Sequence, residues 1–238
     1  MKTLKIYLCM LVIALGAVAC SDDNDETPIV DLISGTFSGY TSAAFSYSST
    51  PIVTEDETVT ISGDASSVEL TYTSETWGTA TFSDVTVTAT TSGYTLSGSG
   101  TATMSSHSGG TSTYDCTLSG TISSDKSTVD LTFTYPSVMG GTVITFTMGD
   151  APTSLLIAGT YSGYTSAAFA YATTPIITED ETVTIAAEDD GSITLTYTSG
   201  TWGTATFTGI TVAEDETTGY TLSGSGTAEM SSHSGGTS

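Results

Sequence analysis

The chain uses one long stretch of sequence twice. Residues Ser34 to Ile61 read SGTFSGYTSAAFSYSSTPIVTEDETVTI, and Ala158 to Ile185 read AGTYSGYTSAAFAYATTPIITEDETVTI. The likeness continues through Trp77 and Trp202 to His107 and His233, with the offset growing by one residue on two occasions. One insertion separates ISGDASSV (Ile61 to Val68) from IAAEDDGSI (Ile185 to Ile193), and the other separates TATTSG (Thr88 to Gly93) from VAEDETTG (Val212 to Gly219). Both fall in polar stretches rich in Gly, Asp or Thr, where added length is tolerated, so they mark turns. A duplicated module must build a core in each copy, and this predicts two units.

Within the first copy, apolar and polar residues alternate with period two in eight segments. They lie near Gly35 to Tyr47, Thr58 to Ile61, Val68 to Thr73, Thr79 to Ala89, Tyr94 to Met104, Thr113 to Ile122, Thr128 to Tyr135 and Thr142 to Met148. Short turns between sequential strands favour an up-and-down antiparallel barrel, because closure removes the edges that Thr-rich strands would expose. A Greek-key sandwich is the structural alternative. Parity gives the inward face: Val59, Ile61, Val68, Leu70, Tyr72, Tyr94, Leu96, Leu118, Ile122, Val129, Leu131, Phe133, Tyr135, Ile144, Phe146 and Met148. It flips between Ala80 and Phe82 on one side and Val85 and Val87 on the other, which predicts a bulge or bend at Ser83-Asp84 and at Thr208-Gly209 in the copy. Gly98 and Gly100 fall on the inward face, where they either let a strand coil tightly or leave room inside.

Composition agrees with an all-β chain. Of 238 residues only 12% are charged, against about a quarter in an ordinary domain. Abundant Thr favours strands and Gly favours turns, so no helix is expected beyond the leader. The basic residues are Lys2, Lys5 and Lys126, against 26 acids. Without a cationic footprint, nucleic-acid binding and charge-driven adhesion to anionic lipid are excluded. A cation or a neutral partner stays open.

Residues 1–19 read as a signal peptide. Lys2 and Lys5 precede an apolar run, Ile6 to Gly16, too short to span a bilayer, and Ala17-Val18-Ala19 lead to Cys20. The segment resembles a bacterial lipoprotein leader, with Ala17 where leucine is commoner, and the resemblance implies lipidation of Cys20. The following Ser21, Asp22, Asp23, Asn24 and Asp25, with Glu26, are similar to the acidic tract that takes lipoproteins of Bacteroidetes to the outer face of the outer membrane. By composition alone the tract is a solvated tether. Cell-surface display at the outer membrane is the expectation, with the periplasmic face as the alternative. Of the three cysteines, Cys9 leaves with the leader, and Cys116 shares a face with Tyr114 and Leu118 as a small core residue.

Eight short strands, the openings GTFSGY and GTYSGY, the leader and the acidic tether together resemble the calycin-like β-barrel lipoproteins of Bacteroidetes. That resemblance implies a small lipocalin-type barrel on a lipid anchor and brings no catalytic residues. The lipocalin Gly-x-Trp signature is missing from the first strand, and Trp77 and Trp202 precede the fourth strand instead. The expected organisation is a signal peptide (1–19), an acidic tether (20–31), a complete eight-stranded barrel (32–151) and an open repeat of about five strands (152–238). The counterpart of Thr113 to Gly149 is absent after Ser238, so the second repeat is expected to close through a longer product or another chain.

No reactive constellation is legible. His107 and His233 read as exposed turn residues, and the runs Glu55-Asp56-Glu57 and Glu179-Asp180-Glu181 lack the spacing of a calcium loop and read as solvated loops. No nucleophile elbow or phosphate loop is present, so neither enzymatic activity, nor a metal, nor a cofactor is expected. Tyr40, Trp77, Tyr164 and Trp202 are the candidate ligand-binding residues, as rings free to stack on a sugar or an apolar partner; alternatively they pack under loops or cap the barrel mouth. Two functions follow: a surface binding or interaction module for a glycan or small apolar ligand, or a structural, adhesive tandem spacer. Binding predicts a void beside Gly98 and Gly100 or a patch of exposed rings, whereas a spacer predicts a filled interior.

Overall fold

The computed structural model describes residues 27–48, 50–105, 110–171, 173–215 and 219–230. The eight alternating segments of the first copy form nine strands, because the fourth segment breaks into two. They are β1 (Gly35–Phe45), β2 (Ile52–Asp64), β3 (Ser67–Ser74), β4 (Gly78–Phe82), β5 (Thr86–Ala89), β6 (Gly93–Ser105), β7 (Thr111–Ser123), β8 (Val129–Tyr135) and β9 (Thr142–Met148). Each neighbouring pair is antiparallel, β9 returns to β1, and β4 pairs with β6. β4 and β5 lie end to end along β6, with Thr79 to Thr81 opposite Thr103 to Thr101 and Thr86 to Ala89 opposite Ser97 to Tyr94. They form one stave, so the barrel closes with eight.

The break in that stave is where parity flips. Phe82 and Val85 are both buried with two residues between them, and the Val85 amide donates to the Val68 carbonyl at 2.9 Å, which carries the chain past the bend. In the copy the register jumps from Leu195 opposite Phe207 to Ile193 opposite Ile210, leaving Thr208 and Gly209 as the bulge, with Gly209 at φ +60°.

The core is an aromatic and aliphatic stack. Tyr72 and Phe133 are stacked with centroids 4.7 Å apart, and Phe82 lies 5.8 Å from Phe133. Leu70, Leu131, Ile122 and Ile144 surround them without exposure to solvent, and Cys116 joins them as a buried residue. One inward assignment needs correction: Met148, the last residue of β9, is 36% exposed because the strand ends at the barrel rim, whereas Tyr94, second in β6, is half-buried and packs against the core opposite Ile122.

The expectation of no helix also fails. Two short helical turns form, α1 (Ile29–Ile33) and α2 (Thr153–Leu156). In α1, Val30 and Ile33 sit three apart on one face and are buried in the barrel core, and the Lys126 ammonium donates to the Ser34 carbonyl at 2.9 Å. A five-residue helix does not persist alone. Burial of its two apolar side chains, about 1.5–3 kcal/mol each, holds it as a plug in the end of the barrel. The fold therefore begins within the segment assigned to the tether.

The second copy forms β10 (Gly159–Ala167), β11 (Ile176–Ala187), β12 (Ile193–Ser199), β13 (Gly203–Asp215), β14 (Gly219–Ser223) and β15 (Gly226–Met230). β10 to β13 repeat the pairing of β1 to β4, with Gly159 opposite Ile185 as Gly35 is opposite Ile61. The fifth strand is split at Gly224-Ser225, so both halves pair with β13 and the open sheet has six strands where about five were expected. Its core is small: Ile157, Ile185, Ile193 and Ile210, with Val183, Leu195, Phe207 and Val212 beside them.

Candidate functional site

The unusual chemistry of the first barrel lies inside it, around a residue the sequence assigns to a loop. The run Glu55-Asp56-Glu57 is part of β2, not a solvated loop, and this corrects the expectation for it and for Glu179-Asp180-Glu181, which is part of β11. The register slips between Gly39 opposite Glu57 and Thr41 opposite Thr54, and Asp56 takes φ +58° at the slip. Aspartate tolerates that left-handed conformation better than most side chains. Beyond the bulge Glu57 has the same parity as Val59 and Ile61, and it is 2% exposed. The copy repeats the device, with Asp180 at φ +57° and Glu181 4% exposed.

Ser74 is the hub that holds Glu57. Its hydroxyl donates to Glu57 Oε1 at 2.9 Å and accepts the amides of Thr76 and Trp77 at 3.1 and 2.9 Å. One side chain thus fixes both the carboxylate and the turn that folds Trp77 against the barrel core. The second carboxylate oxygen is left over. Glu57 Oε2, the hydroxyls of Thr41, Tyr72 and Tyr135, and the indole Nε1 of Trp77 are all buried without a hydrogen-bond partner. The Tyr72 hydroxyl lies beside the carboxylate, close enough to oppose the rise of its pKa. Buried polar groups are normally paired, so several orphans on neighbouring strands are a chemical feature and not an incidental one.

The electrostatics follow from this burial. Loss of solvent raises the Glu57 carboxyl above its ordinary range, the approach of Tyr72 and Ser74 opposes the rise, and the charge of Glu75 adds to it. Burial, then the neighbouring carboxylate, push the Tyr72 hydroxyl far above its usual range. Tyr135 is raised first by burial and then by Cys116 and Glu57. Burial also lifts the Cys116 thiol to about 11, which keeps it protonated and inert as a nucleophile. From outside, a recess of about 230 Å³ reaches Glu57, lined by Thr54, Glu55, Asp56, Glu57, Glu75 and Thr76.

The copy holds the same constellation in a different state. Ser199 donates to Glu181 Oε1 at 2.8 Å, Tyr197 donates to Glu181 Oε2, and the Trp202 indole donates to Thr178 Oγ1 at 3.1 Å. The carboxylate oxygen, the tyrosine hydroxyl and the indole that are orphaned in the closed barrel are paired in the open sheet, whereas Thr165 Oγ1, the counterpart of Thr41, stays buried without a partner.

The four aromatic candidates are not brought together. Trp77 is buried at 8% exposure, while Trp202 is half-buried with its ring 5.6 Å from Phe169. Tyr40 is half-buried in an exterior cleft of about 110 Å³ beside Glu55, Asp56 and Asp150, and Tyr164 is 71% exposed. Gly100 does not border a void: a Cβ there would stand 2.5 Å from the Phe82 ring and 2.2 Å from the Thr81 carbonyl, so this glycine serves close packing. Cys20, the tract Ser21 to Asp25, His107 and His233 lie outside the described residues. Among the described residues, no three His, Cys, Asp or Glu side chains converge to hold a metal ion. Sequence reasoning missed Glu57, Thr41 and Ser74; the available signal was the parity of Val59 and Ile61 carried two residues back.

The sequence model of the calycin-like beta-barrel domain matches residues 33–149 and again 157–238. No curated protein matches the chain. A similar solved structure is the crystal structure of a "putative outer membrane protein" from Bacteroides fragilis, with a TM-score of 0.62 and 25% identity over 80% of this chain and 78% of that one.

Proposed function

Because the chain belongs to the calycin-like β-barrel domain family, we propose that it is a non-enzymatic binding module of the bacterial outer membrane. In this reading Cys20 carries lipid, the tract Ser21 to Asp25 directs display at the cell surface, and the first barrel takes a glycan or small apolar ligand. The likeness to an outer membrane protein of Bacteroides fragilis supports the location. The observation that carries binding is the set of buried, partnerless polar atoms around Glu57, because a folded interior leaves such groups unpaired at a cost of about 1–3 kcal/mol each unless something else satisfies them. Among ligands, that chemistry favours a hydroxyl-bearing glycan over an apolar molecule.

The spacer reading has one observation in its favour, since Phe82 fills the space beside Gly100 that a deep ligand would need. A ligand must then bind at the mouth and not at depth. A screen of monosaccharides and short oligosaccharides against the full chain by saturation-transfer NMR separates the two. Signal transfer to a sugar that is abolished by the same sugar in excess supports the binding module. Silence across sugars and small apolar probes alike leaves the spacer.

A further inference from the structure

The first barrel shows what the edge of the second sheet is shaped to receive. β9 lies along β1 from Gly39 to Phe45, with Met148 opposite Gly39, Phe146 opposite Thr41 and Ile144 opposite Ala43. That stretch, GYTSAAF, recurs unchanged as Gly163 to Phe169. β11 pairs with β10 in the same register as β2 with β1, and among the described residues no strand pairs with the other side of β10. A row of free backbone donors and acceptors is a template for one more strand. Gly39 lies under β9: a Cβ there would collide with the Thr147 carbonyl and stand 2.9 Å from the Met148 Cα. Its counterpart Gly163 also lacks a Cβ, yet nothing lies within 4 Å of where one would be. A glycine inside a strand weakens it and marks the close approach of another backbone, so the β10 edge keeps the relief that a covering strand needs. The inward face beyond that edge is bare as well. Leu96 and Met104 are 2% and 7% exposed in the closed barrel, whereas Leu222 and Met230 are 37% and 46% exposed.

We propose that the free edge of β10 is a docking site for an extended strand of another polypeptide with the chemistry of β9: large apolar residues at alternate positions, threonine-like residues between them and no acids. In that pairing the incoming backbone passes over Gly163, and its apolar side chains follow the inward row beside Thr165 and Ala167, as Phe146 and Ile144 do beside Thr41 and Ala43. Main-chain hydrogen bonds supply the affinity, and the alternate side chains supply the selectivity. Acids are disfavoured in the partner because this chain carries 26 of them against three basic residues. A second copy of the chain is a poorer donor, since its own β9 is held between β1 and β8.

Strand docking at β10 is independent of ligand binding by the first barrel, so either can fail alone. The test adds to the full chain a synthetic peptide of residues 142–148 with a lysine tail, beside a peptide of the same composition and tail in scrambled order, and follows amide exchange by mass spectrometry. Fragments that contain Phe37 or Tyr161 tell the two copies apart. Exchange across Gly163 to Phe169 should slow about tenfold once the free peptide is at about ten times its Kd. Gly39 to Phe45, already covered by β9, should not change. Gly163→Val sets a branched side chain in the path of the incoming strand and meets nothing in the free sheet, so it should abolish the slowing without unfolding the chain. No slowing, equal slowing by the scrambled peptide, or slowing that survives Gly163→Val overturns the docking site. Protection of β10 equal to that of β1 without any peptide also overturns it, because a second copy then holds the edge.

Discussion

At the residue scale the barrel turns on a few side chains whose roles can be tested singly. Ser74 bonds Glu57 and two amides of the next turn, so Ser74→Ala should destabilise the first barrel by about 1–3 kcal/mol in urea unfolding, the cost of stranding buried partners. Glu57 makes stability fall with rising pH. Its carboxyl is raised when folded, so the folded chain binds the proton more tightly than the unfolded one, and stability is lost as pH climbs from the ordinary value of 4.5 through the folded value. Glu57→Gln should therefore gain on the parent protein as pH rises above 4.5. A constant difference across that range contradicts a buried, uncompensated carboxylate. Glu57 was legible in part: its parity with Val59 and Ile61 was in plain view. The left-handed Asp56 that turns it inward was not, because three consecutive acids look the same in a loop as in a bulged strand.

Elements behave as their glycines and bulges dictate. Asp56→Gly should leave stability nearly unchanged, since glycine adopts φ +58° freely, whereas Asp56→Val should cost about 1–2 kcal/mol, and a urea midpoint distinguishes them. Ile33→Ala should cost about 2–5 kcal/mol, because Ile33 is fully buried and α1 is the plug at that end. The eight staves and the break after Phe82 were readable because period two and its phase are written directly in residue types. The plug was not: five residues after Pro28 are too few to show a helical period, and only the shape of the barrel end explains why Val30 and Ile33 must turn inward. The splitting of the fifth strand at Gly224-Ser225 was equally hidden, since nearly the same residues form an unbroken β6 in the closed copy.

For the whole molecule, two copies of one sequence end in different energetic states. The first buries a continuous core from α1 to β9, whereas the second buries four isoleucines and leaves Tyr161, Ile176 and Ile177 about half exposed. Amide exchange in β10 to β13 should accordingly be faster than in β1 to β9 by the difference in opening free energy, read by mass spectrometry on the intact chain. Equal protection would mean that the second sheet is supported by contacts beyond its own core. The charge balance acts at this scale too: with 26 acids against three basic residues the chain repels anionic partners and draws cations.

The central claim is that the barrel works outside the cell, anchored and available to a ligand. Surface proteolysis of intact cells followed by intact-mass analysis tests it most directly. The account predicts a product that begins at Cys20, carries lipid mass and is cleaved by external protease; an unmodified product, or one protected until the outer membrane is broken, would contradict it.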